Sequence, residues 1–191
     1  ETACATINGA NRLGSNSLTE CLVFGARAGR SATEFALEQE APSYATLENF
    51  ARDERNKILD KFFGDKDGGE RIAAIRTDLQ KTMEAGAGIY RTEEELKKTC
   101  EELPKLKERY ENMRIEDRSE VFNTELIAAL ELGNMLDVAE AVAHSALLRK
   151  ESRGSHSRSD YEERDDENFL KHSLAYRTDG DPRIEYSDVT I

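Results

Sequence analysis

NTELIAALELGNMLDVAEAVAHSALLRK, residues Asn123 to Lys150, decides the fold. Its polar residues Glu131, Asn134, Asp137, Glu140 and His144 recur every three or four positions, so on an α-helix they form one thin line. Most of what remains is apolar. A helix with so narrow a polar face belongs inside a protein, with other helices against it. The pattern predicts a helix over 123–150 that is the buried partner of two others.

Those partners lie just upstream. Ile72, Ile75, Leu79 and Met83 are spaced three, four and four, which predicts a helix from Glu70 to about Ala85, ended by Gly86 and Gly88. Thr92-Glu93-Glu94-Glu95 is a capping box, in which the Thr and the third Glu reciprocally satisfy backbone N–H groups. The helix it opens carries Leu96, Cys100, Leu103, Leu106, Tyr110 and Met113 as a narrow stripe among charges, the pattern of an outer bundle helix. Pro104 lacks an N–H and crowds the carbonyl four residues back, so a kink or restart is expected there. The predicted fold is mainly α: an antiparallel three-helix bundle of helices 70–85, 93–114 and 123–150.

The flanks differ in character. Upstream, Gly14-Ser15-Asn16-Ser17 offers capping oxygens to a helix running from Ser17 to about Gln39. Ala41-Pro42-Ser43 breaks the chain, and a second helix is predicted over 44–63, with Leu47, Phe50, Ala51, Ile58 and Phe62 as a partial apolar face. Residues 64–69 form a loop. Downstream of Lys150 the chain is polar and irregular, and only Arg183 to Ile191 alternates like a short terminal strand. Such a tail is ordered only where something docks it.

The chain has 191 residues, of which 38% are hydrophobic, enough for one domain with appendages. The net charge of -12 argues against a nucleic-acid partner, because phosphates demand a basic surface. No apolar run approaches the ~18 residues of a membrane span. Cys4, Cys21 and Cys100 lack metal-ligand spacing and read as reduced thiols of a cytosolic protein, with no metal.

Chemistry concentrates at the start. Arg12 lies in a turn of Gly9, Ala10, Asn11, Leu13 and Gly14, two residues before the helix start. Its guanidinium fork suits carboxylates and phosphates, and the amides of a helix N-terminus add positive potential. The turn reads either as an anion site or as a capped surface turn. His144 reads as a satisfied structural histidine. His156 and His172, with Arg153, Arg158 and Arg164, suit a site rim or, better, an interdomain salt-bridge network. The acidic runs 93–95 and 162–167 read as solvated surface.

Longer stretches carry a resemblance. Glu1-Thr2-Ala3-Cys4 and Gly9-Ala10-Asn11-Arg12-Leu13-Gly14-Ser15-Asn16-Ser17-Leu18 resemble the second flavin-binding motif of the succinate dehydrogenase/fumarate reductase flavoprotein family. Downstream, Ser119 to Leu126, Glu131-Leu132-Gly133-Asn134, Ala143-His144-Ser145-Ala146, Glu151-Ser152-Arg153-Gly154 and Arg164 to Phe169 agree in order. The ending, Arg183 to Val189, is most like the fumarate reductase branch; L-aspartate oxidase, a relative, shares the Asn-Arg-Leu turn and the Glu-Ser-Arg-Gly stretch. The chain departs at Asn8, where many relatives have His.

The resemblance implies an oxidoreductase that interconverts fumarate and succinate with FAD and exchanges electrons with an iron–sulfur subunit. Glu1 and residues Arg12, Leu13, Gly14, Ser15, Asn16, Ser17 and Leu18 would contact the cofactor, and Arg12 would bind a carboxylate of the dicarboxylate substrate. Residues 1–40 would be a piece of an FAD-binding domain, 41–69 a connector, 70–150 the bundle, and 151–191 a tail docking on the flavin domain and partner subunit. The expected location is peripheral, on the cytoplasmic face of the inner membrane, with membrane-anchor subunits reached indirectly. No Gly-rich dinucleotide fingerprint is present, so the chain is expected to be a C-terminal fragment, inactive alone. A helical interaction module without catalysis, or an L-aspartate oxidase-like flavoenzyme, stands as the alternative.

Overall fold

The structure is a computed structural model that describes residues 6–41, 43–64 and 69–190. The chain divides between Lys57 and Ile58 into two compact units.

The first unit holds a turn over residues 7–10, helix α1 (Asn16–Glu38) and most of α2 (Tyr44–Phe63). Both helices lie where the sequence predicts them. The N-cap of α1 does not behave as predicted. Ser15 sits in the left-handed region (φ 69°) and makes no side-chain cap, because capping needs an extended backbone to swing the hydroxyl over the first turn. Of the predicted α2 face, Leu47 and Phe50 are exposed, while Ile58 and Phe62 pack into the core of the second unit.

The second unit is the bundle. Helices α3 (Ile72–Ala87), α4 (Glu93–Glu111) and α5 (Thr124–Leu148) pack on one another in all three pairings. The buried positions of α5 are Ala129, Leu132, Leu136, Ala139, Ala143 and Ala146. Their alternation of three and four is the seam of a helix bundle, and the alanines let backbones approach closely. The core also takes Ile75 and Leu79 from α3, and Leu96, Leu103 and Leu106 from α4. Asn123 caps α5 by accepting from the Leu126 amide at 2.7 Å.

Four expectations change here. Gly86 does not end α3 but lies inside it, buried, because a Cβ there would collide with Thr99 Oγ1 and the Glu95 carbonyl of α4. Glu70 precedes the helix and instead grips Arg109 through two bonds of 2.7 and 2.8 Å. Helix α4 is continuous through Pro104, so the chain does not restart there; Pro104 is exposed, and its ring stands clear of the packed face. Finally, α5 is not buried all round. Ile127, Val138, Val142 and Leu148 remain exposed, since a three-helix bundle covers one side of each member and α5 is apolar on more than one. The Thr92 cap of α4 holds: its hydroxyl accepts from the Glu95 amide at 3.3 Å, and the return contact runs from that hydroxyl to the Glu95 carboxylate.

The tail is more regular than its composition predicts. Strand β2 (Ser157–Arg158) pairs in parallel with β1 (Tyr90–Arg91), the residues just before α4. After a single turn, α6 (Asp166–Phe169), strands β3 (Lys171–Tyr176) and β4 (Arg183–Asp188) form an antiparallel hairpin in which His172 faces Ser187. The predicted terminal strand is β4; its partner β3 was missed. Among the described residues, no helix is long and apolar enough to cross a membrane.

Candidate functional sites

In the first unit the candidate site is the segment from Thr6 to Leu18. Thr6 (φ 60°), Gly9 (φ 59°) and Ser15 (φ 69°) all take left-handed backbone, so the chain doubles back twice before α1 starts. Asn8 fastens this turn to the helix, its amide donating to Glu20 at 2.8 Å, while its Oδ1 is shielded and has no partner among the described residues. Arg12, Leu13, Gly14, Ser15, Asn16 and Leu18 are exposed and Ser17 half-buried. No acidic residue stands in the first turn of that 23-residue helix and the Ser15 side chain caps nothing, while the Leu13 and Ser15 carbonyls accept from the Asn16, Leu18 and Thr19 amides. A helix N-terminus with no side-chain cap, behind an exposed arginine, carries positive potential that suits an anion. Glu1 lies outside the described residues.

The second unit contains a buried ionic cluster where the tail meets the end of α5. Glu151 is fully buried. Its carboxylate accepts from Arg149 Nη1 (2.6 Å), Arg153 Nε and Nη2 (2.8 and 2.9 Å) and the Asp165 amide (2.9 Å). Burial pushes its pKa up, but the bonds from Arg153, the Asp165 amide and Arg149 outweigh this and hold it below the ordinary carboxylate value. Arg149 also donates to the Phe169 and Lys171 carbonyls at 2.8 and 2.6 Å, tying the hairpin to α5.

Arg158, only 1% exposed, does something different. Its Nη1 donates to the carbonyls of Ala146, Leu147 and Arg149, at 3.0 to 3.3 Å, satisfying the open C-terminal end of α5. Its Nε and Nη2 meet Asp160 at 2.7 and 2.9 Å, and Asp160 in turn accepts from the Glu93 amide in the first turn of α4 at 2.7 Å. The Arg158 guanidinium holds the Asp160 carboxyl down at about 2.

Residues 76–191 match the family model described as fumarate reductase flavoprotein C-term. The chain belongs to this family. Along its whole length it is 52% identical to the fumarate reductase flavoprotein subunit of Mycobacterium tuberculosis, covering 33% of that protein. It is 39% identical, over 99% of this chain and 30% of the relative, to the mitochondrial succinate dehydrogenase [ubiquinone] flavoprotein subunit of Oryza sativa. A solved structure of E. coli quinol fumarate reductase matches with a TM-score of 0.89 and 50% identity, over 97% of this chain and 32% of that one. The chain spans about a third of the length of the curated relatives it matches.

As a member of the fumarate reductase flavoprotein C-terminal family, the chain has the mainly helical fold that its periodicity predicts. The predicted interdomain salt-bridge network is instead internal to the second unit. Glu151, Arg149 and Asp160, its organising residues, were not singled out from the sequence; the only available signal was the density of Arg with Asp and Glu across 149–166. Arg164 sits at its edge, on Asp166, which also binds Arg153. His144 is not a satisfied core histidine, since its Nε2 is shielded and finds no partner among the described residues. The acidic runs are partly engaged: Glu93 pairs with Lys97 and Asp165 caps α6.

Proposed function

We propose that this chain is part of a flavoprotein oxidoreductase subunit that interconverts fumarate and succinate with FAD and exchanges electrons with an iron–sulfur subunit. One observation carries the reading: identity near 50% to fumarate reductase flavoprotein subunits runs over the whole chain, including the turn that presents Arg12. In this reading Arg12 binds one carboxylate of the dicarboxylate in a bidentate fork and so fixes the position of its alkene carbons. Leu13 and Gly14 form the loop beside the cofactor. Ser15, Asn16, Ser17 and Leu18 hold the cofactor edge, and Glu1 completes the set.

The start of α1 suits such a group, because its amides are uncapped by any side chain and no carboxylate competes for them. FAD, when bound, supplies the hydride and electron chemistry that no side chain of this chain offers. The helix end stabilises negative charge placed against it. Residues 1–40 then belong to the FAD-binding domain, 41–69 connect, 70–150 form the bundle, and 151–191 dock on the flavin domain and partner. The subunit sits peripherally at the cytoplasmic face of the inner membrane, with anchor subunits reached through the iron–sulfur subunit.

The test is a chimera in which this chain replaces the matching third of the E. coli flavoprotein. It should reduce fumarate with a chemical electron donor. Arg12→Gln should cut turnover by about a hundredfold or more while flavin absorbance is unchanged. A chimera that holds FAD yet never reduces fumarate, or an Arg12→Gln protein with full turnover, overturns the reading.

A further inference from the structure

His156 lies at the middle of the tail's junction with the bundle. Its Nδ1 is 2.8 Å from Nη1 of Arg91 on β1, and its Nε2 is 3.0 Å from the Arg149 carbonyl at the end of α5. A guanidinium can only donate and a carbonyl can only accept. These partners therefore fix the ring as neutral, with the proton on Nε2 and the lone pair of Nδ1 turned to Arg91. The backbone adds two bonds to Arg153, at 2.8 and 3.0 Å, and Arg91 is itself anchored to the Gly88 carbonyl at 2.9 Å.

The charges around this ring have one sign. Arg91 faces it from β1, Arg149 from the end of α5, and Arg158 from β2, sharing the same carbonyl at 3.3 Å, while Arg153 of the intervening turn meets His156 only through the backbone. The nearby carboxylates are engaged elsewhere: Glu151 with Arg149 and Arg153, Asp160 with Arg158, and Glu93 of α4 with Lys97 and Lys150. A proton on Nδ1 would set an N–H against an N–H at hydrogen-bond distance, among the charges of three arginines.

We propose that His156 is an acid-released latch: neutral, it binds β1 to the end of α5; protonated, it lets go of Arg91 and frees the β1–β2 pair. The electrostatics run the same way: burial first lowers the ring's pKa from 6.5, the bond to the Arg149 carbonyl opposes this, and the charges of Arg91, Arg158 and Arg149 lower it further. A histidine harder to protonate folded than unfolded contributes stability that is complete above pH 6.5 and lost as pH falls through the depressed value. The device is independent of the catalytic reading, because it uses no residue of the Arg12 turn.

Amide exchange of the whole chain tests it, read at Ser159, whose N–H donates to the Arg91 carbonyl at 2.9 Å. After correction for intrinsic rates, protection of Ser159 relative to core amides such as Leu103 should fall at least about tenfold between pH 7.5 and pH 5. His156→Gln keeps an acceptor and a donor but cannot titrate, so its profile should be flat. Unchanged protection in the wild type, or the same loss in His156→Gln, overturns the latch. Should the variant not fold, nitrogen NMR of the wild-type ring decides: an Nε2–H tautomer titrating below 6.5 supports the latch, and an Nδ1–H tautomer or a higher midpoint overturns it.

Discussion

Replacing Glu151 by Gln changes one atom and no volume, which makes it a sharp probe of the buried cluster. Two donors converge on each carboxylate oxygen: Arg149 Nη1 and Arg153 Nε on Oε1, Arg153 Nη2 and the Asp165 amide on Oε2. Whichever way the new amide turns, its NH2 faces two donors. Two charge-assisted bonds are therefore lost, each contributing about 1.5–3 kcal/mol, and half-buried Arg149 loses its counter-charge while Arg153 keeps only Asp166. The expected destabilisation is about 4 kcal/mol, within the range for breaking one side of a buried pair. At a urea dependence of about 2 kcal/mol per molar, the unfolding midpoint should fall by about 2 M. Glu162→Gln, on the exposed surface of the same tail, should move it by less than about 0.3 M. Equal small shifts for both variants would refute the argument that Glu151 organises the tail.

Three further outcomes follow from particular contacts. Gly86→Ala should destabilise by about 2–3 kcal/mol despite alanine's better helix propensity, because the Glu95 carbonyl it meets is backbone and cannot step aside; thermal unfolding measures it. With a thiol reagent at pH 8, exposed Cys21 should label at once, whereas buried Cys100, whose thiol is pushed up to about 11 by desolvation and nearby carboxylates, should label only on unfolding. Asp160, held at about 2 in the fold against an ordinary 3.8, contributes stability that is full above about pH 4 and fades as pH falls toward 2. Acid titration of Asp160→Asn should lack that part of the loss.

What the sequence revealed depended on how local the cause was. The Thr92 cap and the Asn123 start of α5 are settled within four residues, and both were legible, the first from its capping box and the second from periodicity. Gly86 was misread because glycine near a helix end usually terminates it; only the approach of α4 gives it another purpose. The tail was least legible. Its order comes from Arg149 and Arg158 donating to carbonyls and carboxylates up to 22 residues away and from Glu151 accepting from Arg149, Arg153 and the Asp165 amide, and no periodicity records such a meeting. The Arg12 turn stands between these cases. Residue types alone marked it as a possible anion site, and its assignment to a flavin and a dicarboxylate came from resemblance. The start of α1, with no side-chain cap and no acidic residue in its first turn, suits that assignment on physical grounds.

The Asp160–Arg158 pair joins the amide end of α4 to the carbonyl end of α5. The two helices are thereby wired in series: amide, carboxylate, guanidinium and carbonyl alternate in sign along one short path. Because Arg158 is sealed from solvent, mobile ions have little access to it. The chain thus contains two electrostatic populations. The exposed lysine pairs along α4, such as Lys98 with Glu94, weaken as ionic strength rises, while the junction that fixes the tail does not. A fold with this division can tolerate large swings in salt at its surface without loosening the seam on which its C-terminal hairpin is hung.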